Sequence, residues 1–165
     1  MTLRHLIQGA TSARALSFGA HAALAANTST VTQSGTNISA THGLASVTRA
    51  GGLSNHSAID QLSGSTRASA TVSQSGGATG SNVTSVTQAG ILAISSITQV
   101  STGVGANTVT VDQSGNNGAE AQNAAVTQNG VGNGATISQS QAVSLAGAGA
   151  TVTQAGGNNT ATVRQ

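Results

Sequence analysis

The chain has 165 residues, only 5% of them charged and 1% aromatic, with no cysteine, proline or tryptophan and a formal net charge of +2. Typical globular domains are about 25% charged, and the missing cysteines exclude a disulfide framework and a thiolate zinc site, while no apolar run approaches the ~20 residues of a membrane-spanning helix. Disordered chains combine Pro with high net charge, and this chain has neither, so its order must be sought in periodicity.

In chain order, residues 1–25 read as a secretory signal peptide. Arg4, His5 and Arg14 precede the apolar stretch from Ala15 to Ala25, and Ala23-Leu24-Ala25 offers a small-residue cleavage site before Ala26. Beyond it Arg49, Arg67 and Arg164 balance Asp60, Asp112 and Glu120, so the mature chain is formally neutral. Nucleic-acid binding requires clustered Lys or Arg, and stacking on single strands requires aromatics; with neither, nucleic acid is not an expected partner.

After the leader, residues 26–54 read as a less regular first coil and residues 55–165 as a regular array. The organising feature is a Gln with Val or Ile two residues before it. It recurs at Gln33, Gln61, Gln74, Gln88, Gln99, Gln113, Gln128, Gln139, Gln154 and Gln165, with Arg49 in the Gln place of one further unit. A mostly small residue lies four before each, as at Ala70, Ala124 and Ala150, and Ser and Thr dominate the alternate positions. A shared face at period two is the signature of a strand.

A longer period distinguishes two kinds of strand. Six residues before the Gln, every other unit carries Asn: Asn27, Asn55, Asn82, Asn107, Asn133 and Asn159, spaced 28, 27, 25, 26 and 26 residues apart. Gly usually follows the Gln by two residues, as at Gly51, Gly76, Gly130 and Gly156. The pattern predicts an all-β fold: a β-solenoid of about five and a half two-stranded coils, strand-turn-strand, with cross-β stacking and with Gly and Asn providing positive φ at the corners. Stacking at ~4.8 Å superposes like residues, so each inward Gln amide can donate to one neighbour and accept from the other. Such ladders leave the terminal coils with unpaired edges, which natural strands otherwise blunt with Lys or Pro. Arg49 breaks the Gln pattern and cannot accept a hydrogen bond, so it is expected either to turn outward or to let residues 27–53 fray from a core of 55–165.

The spacing Gln, Gly, Asn, Ala, Gln is met by Gln128-Gly130-Asn133-Ala135-Gln139 and again by Gln154-Gly156-Asn159-Ala161-Gln165. It resembles the curlin repeat of curli fibre subunits over roughly residues 27–165. The resemblance implies a secreted subunit that polymerises with itself into an extracellular amyloid fibre, a fimbrium of a Gram-negative cell surface serving biofilm matrix and adhesion. It also implies a nucleator subunit and outer-membrane secretion machinery as partners.

No catalytic, cofactor-binding or metal site is expected. Ser54, His56 and Asp60 lie close in sequence, but Asp60 falls on the outward side of its strand and His56 at the preceding turn, where both are solvated. His42 and His56 occupy unlike places in their units and give no ligand set. The sequons at Asn27, Asn37, Asn55 and Asn82 follow from an Asn- and Thr-rich composition. Asp60, Asp112 and Arg164 precede the Gln on Asn-bearing strands and are candidate gatekeepers against premature pairing. The outward hydroxyls of the other strands, such as Thr151 and Thr153, form an uncharged array. They raise the alternative of a monomeric β-solenoid acting in ice binding or surface adhesion.

Overall fold

Alternation of β-branched and small residues with Ser and Thr favours extended backbone, and the chain is all-β with no helix. The computed structural model describes residues 27–33, 44–51, 54–62, 68–89, 92–115, 121–140 and 147–165. The signal-peptide segment, His42, Asn37, Arg67 and Glu120 lie outside the described residues. In chain order the strands are β1 (Thr28–Gln33), β2 (Leu44–Gly51), β3 (Ser54–Gln61), β4 (Ser69–Gly76), β5 (Gly80–Ala89) and β6 (Ala93–Ser101). They continue with β7 (Gly105–Ser114), β8 (Gln122–Val131), β9 (Gly134–Ser140), β10 (Gly149–Gly157) and β11 (Thr160–Arg164).

Odd-numbered strands form a six-stranded sheet and even-numbered strands a five-stranded one, each in coil order. All pairs are parallel, because each coil returns the chain to the sheet it left. The result is the parallel β-solenoid the repeat predicts. Its coil count differs from the expected five and a half: four coils are described without interruption, at 68–89, 92–115, 121–140 and 147–165. The turns that would join β1 to β2 and β2 to β3 fall partly or wholly outside the described residues.

Register is held by like residues facing like. Asn82 aligns with Asn55 and Asn107, Val86 with Ile59 and Val111, and Gln88 with Gln61 and Gln113. The even sheet aligns Arg49 with Gln74, then Gln74 with Gln99 and Gln99 with Gln128. A slip of one residue would turn every Gln and Val to solvent, so the burial alternation fixes the pairing. The core is correspondingly thin. Its apolar part is Val, Ile and Ala alone, with Ile59, Val72, Val86, Ile97 and Ile137 at most 1% exposed. Buried amides and a few hydroxyls fill the remainder: Gln88, Gln99, Gln113, Gln128 and Gln139 are all fully buried, as are Ser57, Thr84 and Ser95.

The turns correct one expectation. Positive φ belongs to glycines, at Gly51, Gly105, Gly115, Gly130, Gly132 and Gly156, and among non-glycines described only to Leu92 and Asn158. The periodic Asn residues are therefore not there for φ. Gly130 has φ +133°, and a Cβ on it would lie 1.7 Å from the Gly156 carbonyl oxygen of the next coil. Only glycine lets those two turns approach so closely.

Candidate assembly surface

Each inward Gln emerges from a strand whose neighbouring side chains point outward, and its amide reaches along the stack. In the odd sheet Gln61 Nε2 donates to Gln88 Oε1 at 2.9 Å, Gln88 to Gln113 at 3.0 Å, Gln113 to Gln139 at 2.9 Å and Gln139 to Gln165 at 2.9 Å. In the even sheet Gln74 donates to Gln99 at 3.0 Å, Gln99 to Gln128 at 3.0 Å and Gln128 to Gln154 at 2.7 Å. Both columns point their donors towards the C-terminal end. Gln33 aligns with Gln61 at the head of the odd column.

The same amides also bond across the core, which the column pattern does not disclose. Gln88 Nε2 lies 3.0 Å from the carbonyl oxygens of both Ser69 and Ala93 in the opposite sheet, one on the preceding strand and one on the following strand. Gln113 does the same with Ile94 and Gln122, at 3.1 and 3.0 Å, and Gln99 with Val83 and Asn107, at 3.2 and 3.1 Å. A buried primary amide is tolerable only when its two N–H groups and its carbonyl are satisfied, and here the stack and the opposite strands satisfy them. Hydroxyls four residues before a Gln add donors, as Thr84 Oγ1 to Gln99 Oε1 at 2.6 Å and Ser95 Oγ to Gln113 Oε1 at 2.8 Å.

The Asn column performs a different task. Asn82 Nδ2 donates to Asn55 Oδ1 at 2.9 Å and Asn107 to Asn82 at 3.2 Å, so this column donates towards the N-terminal end, opposite to the Gln columns. Asn159 continues that direction onto Asn133 at 3.0 Å, and Asn27 Oδ1 accepts from the Asn55 backbone N–H at 3.0 Å. The amides also close the turns of their own coils, Asn82 onto Ser75 O at 2.9 Å and Asn107 onto Val100 O at 3.2 Å. Asn55 and Asn82, nominal glycosylation acceptors, are fully buried by this role.

Arg49 neither turns outward nor leaves its coil. Its Nε donates to Gln74 Oε1 at 3.1 Å and its Nη2 to the Thr28 carbonyl, so the guanidinium heads the even Gln column as a donor-only group. Its half-burial lowers its pKa from the ordinary arginine value by desolvation. The physical reason for the difference is that the column runs donor to acceptor: its first member needs to donate, and Arg can.

Three buried side-chain oxygens lack a partner among the described residues: Ser29 Oγ, Ser57 Oγ and Gln122 Oε1. Gln122 occupies a place held by Ala68, Ala93 and Ala148 in the other even strands. His56 lies within β3 and not at a turn; its exposed Nδ1 is 2.8 Å from Thr28 Oγ1. Asp112 and Arg164 are exposed and Asp60 half-exposed, all outward in the odd sheet. The described residues hold no cluster of three His, Cys, Asp or Glu suited to a metal, and no helix long and apolar enough to cross a membrane.

Among the described residues no strand continues the columns beyond either end of the stack. β10 and β11 are the last strands of their sheets and β1 and β2 the first. At the tail Gln154 Nε2 bonds Gly134 O at 3.0 Å and Gln165 Nε2 bonds Gly149 O at 3.0 Å, with no further Gln above either among the described residues. At the head Val31 is 42% exposed, although its counterparts Ile59 and Val86 are fully buried.

These features define the class: a two-sheet parallel β-solenoid with in-register amide ladders. No protein-family model, curated protein or solved structure matches this chain.

Proposed function

We propose that the chain is the structural subunit of a secreted, curli-like amyloid fibre of a Gram-negative cell surface, acting in biofilm matrix, adhesion and surface attachment. Its growth mode is end-to-end strand stacking. The observation that carries this reading is the pair of in-register amide columns running the length of the stack, whose end strands leave Val31 exposed and meet no further coil beyond Gln154 and Gln165 among the described residues. Each end is a template for another strand of the same pattern, and the chain has no Lys or Pro to blunt it. A nucleator subunit and an outer-membrane export apparatus fit this reading as partners, and the leader at 1–25 fits export. Asp60, Asp112 and Arg164 would slow pairing before export by keeping charge on the outward face.

The alternative, a monomeric ice-binding or adhesive solenoid, draws on exposed Thr151 and Thr153. Its hydroxyl array is interrupted by Ala125 and by Ile94, which is 39% exposed. Incubating the purified protein at micromolar concentration separates the two. The fibre reading expects thioflavin-positive fibres and no thermal hysteresis; stable monomers that depress the freezing point would overturn it.

A further inference from the structure

We infer that Asn133-Gly134 is a deamidation site that the fold protects, so that a chain kept unfolded loses an amide it needs to close its coils. The inference concerns the single chain and holds whether or not copies polymerise.

Of the column residues Asn27, Asn55, Asn82, Asn107, Asn133 and Asn159, only Asn133 is followed by glycine; the others precede Thr, His or Val. Geometry does not require that glycine. Gly134 opens β9 without a left-handed φ, a Cβ built on it meets nothing within 4 Å, and its register partners are Thr108 and Thr160, with Val83 one coil further. Glycine weakens a strand, and no contact here calls for it.

What it alters is the chemistry of the preceding asparagine. In an unfolded chain the Gly134 amide nitrogen, giving its proton to solvent, attacks Asn133 Cγ. The new N–Cγ bond closes a succinimide ring as the Cγ–Nδ2 bond breaks, and the departing nitrogen takes up a proton and leaves as ammonia. Water then opens the ring at either carbonyl, giving aspartate or isoaspartate. A branched or bulky side chain after the Asn hinders the attack, and glycine leaves it clear.

Folding withdraws every reactant. The Gly134 N–H donates to Asn159 O at 2.8 Å, and Asn133 Nδ2 donates to Gly156 O at 3.0 Å. Asn133 Oδ1 accepts from the backbone N–H and the Nδ2 of Asn159, at 3.2 and 3.0 Å, and the residue is 1% exposed, so water is kept from it. Ring closure would first have to break the strand pairing, so the reaction waits on local opening. Conversion before folding is not undone by folding. A carboxylate at 133 has no hydrogen to give Gly156 O and would be buried beside it, and isoaspartate adds a backbone atom that shifts the register of β9. Asn129-Gly130 is the internal comparison: Asn129 is exposed on the outward face, so a carboxylate there leaves the columns whole.

The full-length chain is held at mildly alkaline pH, folded in one sample and in urea in another, and position 133 is followed by peptide mass spectrometry. The folded sample is expected to convert Asn133 at least about tenfold more slowly. Chains withdrawn from urea and refolded are expected to carry intact Asn133 in their protease-resistant fraction, with the converted chains in the sensitive one. G134A is expected to fold as the unmodified chain does and to keep Asn133 intact in urea at least about tenfold longer. N133D is expected to lose protease protection across 121–140, and N129D to keep it. Equal conversion in the folded and urea samples, or converted chains in the resistant fraction, would overturn the inference. So would a G134A chain that fails to fold or converts as fast, or an N133D chain as protected as the unmodified one.

Discussion

A primary amide held two methylenes from a strand backbone would ordinarily be a liability in a core, and here it recurs in nearly every strand. Removing Gln128 breaks its bonds with Gln99 and Gln154 and its bond to Thr108 O. Gln128→Ala is expected to lower stability by about 1–3 kcal/mol, read as a shift in denaturant midpoint, because the buried Gln154 Oε1 loses its donor and Gln99 keeps only its cross-core bonds. Thr127→Ala next to it is expected to stay within about 0.5 kcal/mol, since that side chain is exposed on the outward face. Equal effects would show that the inward and outward faces are wrongly assigned. Ser57 gives the opposite sign. Its hydroxyl is buried without a partner and other coils place Ala135 or Ala161 there, so Ser57→Ala is expected to raise the midpoint by roughly 1 kcal/mol.

Within a coil, the turns and the column heads set the limits. Gly130→Ala forces a side chain into the Gly156 carbonyl at a left-handed φ, and is expected to cost several kcal/mol or to prevent the coil at 121–140 from closing. Limited proteolysis would register this as new cleavage near Val131. Arg49→Gln retains a donor to Gln74 and adds an acceptor facing outward from the head, so it is expected to speed elongation; an unchanged rate would deny the column a part in growth. The strands, their faces and the two-strand coil were legible in the sequence because period two and the Asn spacing are one-dimensional signals. What the Asn residues do was not. Their place beside Gly suggested a backbone role, whereas buried Asn82 and Asn107 tie turn carbonyls to the stack by side-chain bonds that no spacing encodes. The inward course of Arg49 was equally hidden, since it depends on the donor-to-acceptor direction of a column that the sequence lists only as repeated Gln.

At the scale of the molecule, the solenoid has one thin core, and each strand is ordered by the strand it lands on. A single coil buries one Val or Ile per strand and must fix its whole backbone, so the first coils form slowly and later ones form on a template. Growth from monomer is therefore expected to show a lag that preformed fibre fragments abolish, followed by thioflavin fluorescence. The most direct measurement of the central claim is X-ray diffraction from aligned fibres of the unmodified chain. Parallel in-register coils continuing from copy to copy predict a sharp meridional reflection near 4.8 Å, with strands perpendicular to the fibre axis, and a diffuse equatorial one near 10 Å from the spacing of the two sheets. A chain that stays monomeric and soluble while fully β-structured, or fibres whose 4.8 Å reflection falls on the equator, would contradict the account.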